Sequence, residues 1–478
     1  VTSLDFGAES VPVILPASDP SLGGASVLFR ASKAEFEAVF GASLDVRGPG
    51  PVEGPRWELV IDPAHDGPAV LDWSPQDRVL TSRAADASGL MRTFQLVHTM
   101  ARTRSTREVD AACPHLQDAV DRTIAEVGAA FPGLELRGLD WPEICDEHAK
   151  GVVEASDPLA AAQRWTARLQ DAHTKIEPAA RPAPPPYVVS VRDGAAWFVR
   201  VPEGTPAFEA GVRPGQRIVG LDGASGPELA RLIEDCRSRT AAPRHMLGLL
   251  TGRRLLSMRK ETDIRVAGAE WTEDGRCDPV ELIEWRRLAA DTGYVRLKIW
   301  QGQVAEGFDA ALAELKGCDR LVLDLRGNVG GDLMLATGAR DRFLREATHL
   351  GCIAYTDGHG GLGPRVAFRG EPSSERRWPG RLVVLTDPLT YSSSEDFLLG
   401  LQGLEHVTVI GRPSGGGSGR ARSLRLLPDW VLTVSTALTY DKTGRCVENS
   451  GVPVDVTVRS DGPGHGPDDP AIQAALKS

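Results

Sequence analysis

DRLVLDLRGNVGGD, residues 319–332, sets four apolar side chains in five positions (Leu321, Val322, Leu323, Leu325) and then breaks into three glycines. A short, nearly continuous apolar run closed by turn residues is the pattern of a strand covered on both faces. Working outward, GYVRLKIW (293–300), RLVVLTD (381–387), HVTVIGR (406–412) and VLTVSTALTY (431–440) repeat the pattern. Between them lie helix-like runs: FDAALAELKG (308–317), LMLATGARDRFL (333–344) and SEDFLLGLQGL (394–404). Buried strands alternating with helices predict an α/β core over residues 269–478.

Three further segments precede it. Residues 1–105 hold a helix-like SKAEFEAVFG (32–41), a strand-like WELVID (57–62) and an amphipathic DASGLMRTFQLVHTM (86–100), together a small α+β domain. Its last stretch resembles the small domain that precedes the barrel in hexosaminidases, a likeness of fold with no sugar chemistry attached. Residues 106–183 read as helical, in TREVDAACPHLQDAVDRTIAEVGAAF (106–131) and DPLAAAQRWTARLQDAHTKIE (157–177), until RPAPPP (181–186) breaks the pattern. Residues 184–268 alternate apolar and polar in YVVSVRDGAAWFVRV, then read EGTPAFEAGVRPGQRIVGLDG and a helical GPELARLIEDCRSR. This segment is similar to a PDZ domain on Gly204-Thr-Pro-Ala207, Ala210-Gly211, Pro214-Gly215 and Asp222-Gly223, with Gln216 where those domains carry aspartate. Such a domain implies capture of an extended peptide, often by its C-terminal carboxylate.

With 478 residues, several compact units are expected. The 54 basic and 65 acidic residues give a net charge of -11, which argues against a sequence-independent grip on nucleic acid. No apolar run approaches the roughly 18 residues of a membrane span, and the start VTSLDFGAESVPVILP lacks a basic leader, so the expectation is a soluble, cytoplasmic protein. Seven scattered cysteines without a CxxC pair, and the absence of HExxH, predict neither a disulfide framework nor a metal requirement, and no cofactor is expected.

Four ordered stretches resemble the serine peptidase family that contains the C-terminal processing (tail-specific) proteases and the tricorn core. They are DRLVLDLRGNVGGD, LTDPLTYSSSEDFLLGL (385–401), VTVIGRPSGGGSG (407–419) and TGRCVENSGVPVDVTV (443–458). The resemblance implies a multi-domain α/β protein with a ClpP/crotonase-like core, and it places Ser392 on the nucleophile, with Ser394 as the alternative. A predicted helix opening at Ser392 would supply unpaired N–H groups to an oxyanion; the bland alternative is a serine-rich helix cap.

A serine hydroxyl needs a base within hydrogen-bonding reach. The tail-specific branch uses a lysine whose position is Gly417 here, and no lysine lies between the nucleophile segment and Lys442. The tricorn branch uses a histidine and a glutamate instead, and the resemblance places these on His173 and Glu448; the serine that precedes the tricorn histidine is Ala172. The implied triad is Ser392, His173 and Glu448, with His173 expected beside both partners, and the N–H groups of Gly330 and Ser393 forming the oxyanion hole. The implied partner is a peptide or protein substrate. Two other readings remain at this point: a non-catalytic ligand-binding protein on the same fold, or an amidase, esterase or peptide cyclase using the same triad.

Overall fold

The computed structural model describes residues 10–14, 36, 43–47, 51–64, 70–74, 76–85, 93, 107–108, 112–180, 186–257, 262–273, 281–302, 304–373, 377–459 and 468–478. The helical expectations for 32–41 and 86–100 lie outside the described residues apart from Phe36 and Thr93, as does 181–185 of the proline stretch.

The central sheet has six strands in the order Ile283–Ala289, Thr292–Leu297, Arg320–Asp324, Arg381–Thr386, Val407–Gly411, Val456–Thr457. The first pair is antiparallel and the rest are parallel. Period-two alternation divides the side chains between two cores. Leu321, Leu323, Leu382, Val384, Val407 and Val409 pack with Phe308, Phe343 and Phe397 on one face. Val322, Val383 and Ile410 pack under the C-terminal helix Pro470–Lys477 on the other. That helix is tied down by Arg326, whose guanidinium donates to both oxygens of Asp469 at 2.9 Å and to Asp324. Two-sided cover explains why these strands read as apolar runs.

Helices Leu116–Ala130, Trp141–Glu154 and Pro158–Ala167 precede the core in sequence and share a hydrophobic cluster with strands Arg422–Leu427 and Trp430–Val434. The helical reading of 157–177 needs correction, because the helix stops at Ala167 and Lys175–Pro178 is a strand paired antiparallel with Trp430–Val434. Asp157 caps the helix start through Ala160 N–H, but the final turn meets Gln170 in a left-handed conformation. His173 therefore sits on a turn sewn to the core by a sheet.

Residues 187–273 form a β-rich module: a hairpin, Val188–Arg192 with Ala195–Arg200, and a sheet in the order Ala224–Ser225, Ile218–Leu221, Thr262–Val266, Ala269–Glu273. Helices Gly226–Ser238 and Arg244–Leu256 complete it. The second helix lies so close on the hairpin that a Cβ on Gly248 or Gly252 would strike the carbonyls of Val191 or Val189.

The N-terminal residues form another sheet, ordered Ser43–Arg47, Ser10–Ile14, Arg56–Ile61, Val79–Ala84, Val70–Ser74, Arg107–Glu108. A hairpin absent from the sequence reading, Thr348–Thr356 with Leu362–Gly370, pairs with Ala437–Asp441. No helix among the described residues is long and apolar enough to cross a membrane.

Candidate active site

Adjacent parallel strands Arg320–Asp324 and Arg381–Thr386 end side by side, and their following loops carry Gly330 and Ser392. Ligands of open parallel sheets collect at this carboxyl edge. Ser392 lies between the strand and the short helix Ser393–Leu398, with φ 57° and ψ -127°. A non-glycine residue so far from the favoured regions costs about 1–3 kcal/mol and persists only where its surroundings hold it.

Those surroundings are visible. The Ser392 N–H donates to Glu395 Oε2 at 3.1 Å, and Tyr391 N–H to Asn328 O at 3.0 Å. Asn328 Nδ2 in turn donates to Leu297 O at 3.1 Å. Asp387 Oδ1 accepts from the N–H groups of Gly327, Leu389 and Thr390, while its Oδ2 takes Arg200 Nη2 at 2.5 Å. Arg200 belongs to the hairpin of the β-rich module and also donates to Arg326 O at 3.2 Å. The turn that strains Ser392 is thus braced from both the core and the module.

Gly330, at φ 105°, presses on the serine: a Cβ there would stand 2.6 Å from Ser392 Cβ and 3.1 Å from Ser393 N. Its N–H donates to Asn328 Oδ1 at 3.0 Å in this structure. Ser393 opens the helix, so its N–H has no intrahelical acceptor. Ser394 is fully buried, accepting Trp300 Nε1 at 2.9 Å and donating to Asn328 O at 3.2 Å. Ser392 is only half-buried.

Glu395 is fully buried and organises the glycine-rich loop. Its Oε1 accepts from Ser414 Oγ at 2.6 Å and Gly416 N at 2.8 Å, and its Oε2 from Gly417 N at 2.7 Å in addition to Ser392 N. Burial pushes the carboxyl up to about 7 against the pull of these four donors.

Tyr391 fills the space above that loop. A Cβ on Gly417 would overlap its hydroxyl oxygen, and one on Gly415 would approach its ring to 2.5 Å. The ring lies 4.6 Å from that of His173, tilted by 34°, and the hydroxyl donates to Asp171 Oδ1 at 3.4 Å. Burial, reinforced by Asp171, Glu448 and Glu395, holds the phenol well above its ordinary range, so it stays protonated.

Asp171 is a second buried hub. Thr174 Oγ1 and Ser435 Oγ donate to its Oδ2 at 2.6 and 2.7 Å, and the backbone N–H of His173 donates to its Oδ1 at 3.3 Å. Burial alone would raise this carboxyl; Arg137, His173 and the two hydroxyls outweigh it and hold it below its usual value.

His173 is half-buried, with no hydrogen-bond partner at Nδ1. Burial pushes its imidazole down to about 4; Asp171 pulls upward, and Lys175 and Arg420 push further down. Glu448 is buried, with Oε1 unpartnered, and burial, Asp171 and Glu395 raise it well above the ordinary carboxylate range. The site thus gathers Ser392, Gly330, Ser393 and Glu395 closely. His173 reaches the group through Tyr391 and Asp171, without a hydrogen bond to Ser392 or Glu448.

The sequence reading gave no role to Asp171, Tyr391, Glu395 or Asn328. Signals were present for two of them: Asp171 stands two residues before His173, and Glu395 lies within the matched nucleophile stretch, three residues after Ser392. Among the described residues, no group of three His, Cys, Asp or Glu side chains is placed to hold a metal ion.

A strained serine thus stands on a strand-to-helix turn at the carboxyl edge of a mostly parallel α/β sheet. Residues 291–458 match the model of peptidase family S41. The chain is 27% identical over 249 residues to the carboxyl-terminal-processing protease of Synechocystis sp. (strain ATCC 27184 / PCC 6803 / Kazusa), covering 50% of this chain and 53% of that one. It is 26% identical over 235 residues to the carboxy-terminal processing protease CtpB of Bacillus subtilis (strain 168), covering 48% and 45%. The chain spans about half the length of the curated relatives it matches. Mature CPAF, a solved structure, shares the fold with a TM-score of 0.54 at 12% identity, over 71% of this chain and 92% of that one.

Proposed function

We propose that the chain is a serine peptidase that cuts polypeptides, with Ser392 as nucleophile, His173 as its base and Glu448 as the acidic partner. The observation that carries this reading is the backbone of Ser392, strained at φ 57° and ψ -127° with Gly330 packed so closely against it that no Cβ fits between them. A serine that merely caps a helix has no need of that strain. The neutral imidazole favoured by the burial of His173 suits a proton acceptor.

In this mechanism Ser392 Oγ attacks the scissile carbonyl as His173 takes its proton, forming a tetrahedral intermediate. His173 then gives the proton to the leaving amine, and water completes the cycle by the same route. The N–H groups of Ser393 and Gly330 receive the oxyanion, and Gly330 turns from Asn328 Oδ1 as substrate enters. His173 closes on Ser392 when Tyr391, whose ring lies against it, moves with the bound peptide. The core would be of the ClpP/crotonase type. The module of residues 187–273 would be a PDZ-like domain that offers an edge to an extended chain.

One observation favours a variant of the triad: Asp171 heads the charges that act on His173, and Glu448 is not among them. Asp171 would then orient the base and Glu448, held neutral, would act as a donor. Digestion of denatured casein followed by mass spectrometry tests the peptidase reading. New peptides should appear with the unmutated chain and vanish with Ser392→Ala; peptides that persist in that variant would refute it. Comparing Asp171→Asn with Glu448→Gln then separates the two partners, the greater loss marking the group that orients His173.

A further inference from the structure

A cleft of about 550 Å³ opens beside His173, between the segment that carries it and helix Arg244–Leu256. Val329, Tyr391 and His173 line it, so it adjoins the turn of Gly330 and Ser392. Ala172, Met246 and Leu250 give it an apolar lining continuous with the cluster around Tyr391. Nothing in the proposed proton transfer uses the rest of its walls.

Those walls are cationic. Lys175, Arg239, Arg253 and Arg254 line the cleft, against a single lining carboxylate, Glu177. The chain as a whole carries a net charge of -11, so four cations in one cleft run against its composition. Two of the guanidiniums are fixed in place. Gln163 Oε1 accepts from Arg239 Nε at 2.9 Å and Arg254 Nη1 at 3.2 Å, and Arg254 Nη2 donates to Glu177 Oε1 at 2.5 Å. Arg239 also pairs with Asp235 at 3.0 Å. Held cations in a low-dielectric cleft focus the field on whatever enters. The positive charge extends to His173, on which Lys175 bears directly.

We propose that this cleft is a substrate subsite for acidic side chains, so that the favoured peptides carry Asp or Glu beside an apolar residue near the bond held at Ser392. The proposal deepens the peptidase reading and rests on it, but binding can be measured without turnover. The full chain with Ser392→Ala is titrated against two fluorescein-labelled peptides of equal length, one bearing paired glutamates after an Ala-Leu-Ala run and one bearing lysines there, by fluorescence anisotropy.

The glutamate peptide should bind on the order of tenfold more tightly at low salt. The preference should shrink at 0.5 M salt as screening shortens the field, and it should fall severalfold in Arg253→Glu and in Lys175→Glu. Both are half-buried positions, and thermal melts establish that each variant is folded. Equal affinity for the two peptides, absent binding of both, or a preference unchanged in both folded variants overturns the proposal. Fluorophosphonate labelling of Ser392 in the unmutated chain decides the serine reading separately, so the two failures cannot be confused.

Discussion

The phenol of Tyr391 and the missing side chain of Gly417 occupy one space. Gly417 is the position at which the resemblance to the tail-specific proteases would put a lysine, and any Cβ there would overlap the Tyr391 hydroxyl. The space such a side chain would need is filled by the tyrosine immediately before Ser392, whose ring reaches His173 and whose hydroxyl reaches Asp171. The departure from the lysine pattern is built into the packing.

Restoring a side chain at 417 should consequently harm the protein. Gly417→Ala is expected to lose about 1–3 kcal/mol through overpacking, read as a lower melting temperature. Tyr391→Ala combined with Gly417→Ala should cost less than the sum of the two single changes, because the double variant relieves the overlap. Additive losses would show that the two residues do not share the space.

Buried Glu395 and half-buried His173 should give stability opposite pH slopes. Glu395 is raised from 4.5 to about 7, so its contribution is fully present below about 4.5 and is lost as pH rises through 7. His173 is lowered from 6.5 to about 4, so its contribution is present above about 6.5 and is lost as pH falls through 4. Relative to the unmutated chain, the melting temperature of Glu395→Gln should climb between pH 4.5 and 7, while that of His173→Asn should decline between pH 4 and 6.5. Slopes of the same sign in both differences would contradict these assignments.

Ser394 and Ser392 should separate cleanly. Ser394→Ala breaks the Trp300–Ser394–Asn328 chain and should cost about 1–2 kcal/mol, leaving Ser392 reactive toward a fluorophosphonate. Complete loss of labelling in a folded Ser394→Ala protein would reassign the nucleophile.

Arg200 carries the brace between the β-rich module and the nucleophile turn. Its partner Asp387 is 14% exposed at the side chain and holds three N–H groups of the two loops that carry Gly330 and Ser392. Arg200→Ala leaves that carboxylate without its cation, a loss of about 3 kcal/mol for a buried pair. Labelling of Ser392 should slow as well, since the strained turn loses a support. An unchanged melting temperature would show that the brace is dispensable.

The parallel core was legible because its strands are covered on both faces, so RLVLDL and RLVVLT read as continuous apolar runs. The four motif stretches single out Ser392, and the strained turn on which the structure places it could not be read from them. The strand at Lys175–Pro178 was not, since its partner Trp430–Val434 lies some 250 residues downstream and its own pattern continues that of a helix. The hairpin of Thr348–Thr356 and Leu362–Gly370 escaped for another reason. Its second strand is exposed or half-exposed at every position but the last, which leaves no apolar signal. The hubs at Asp171 and Glu395 depend on donors from distant loops, Ser435 for one and Ser414, Gly416 and Gly417 for the other. Local sequence shows a carboxylate at each position and nothing of what surrounds it.

Intact-protein mass after fluorophosphonate treatment decides whether Ser392 is an activated nucleophile. The unmutated chain should gain one adduct, Ser392→Ala none, and His173→Ala should label at least 100-fold more slowly, a loss of the size expected for an activating base. A folded, unmutated chain that gains no adduct, or a Ser392→Ala protein that still gains one, would contradict the account.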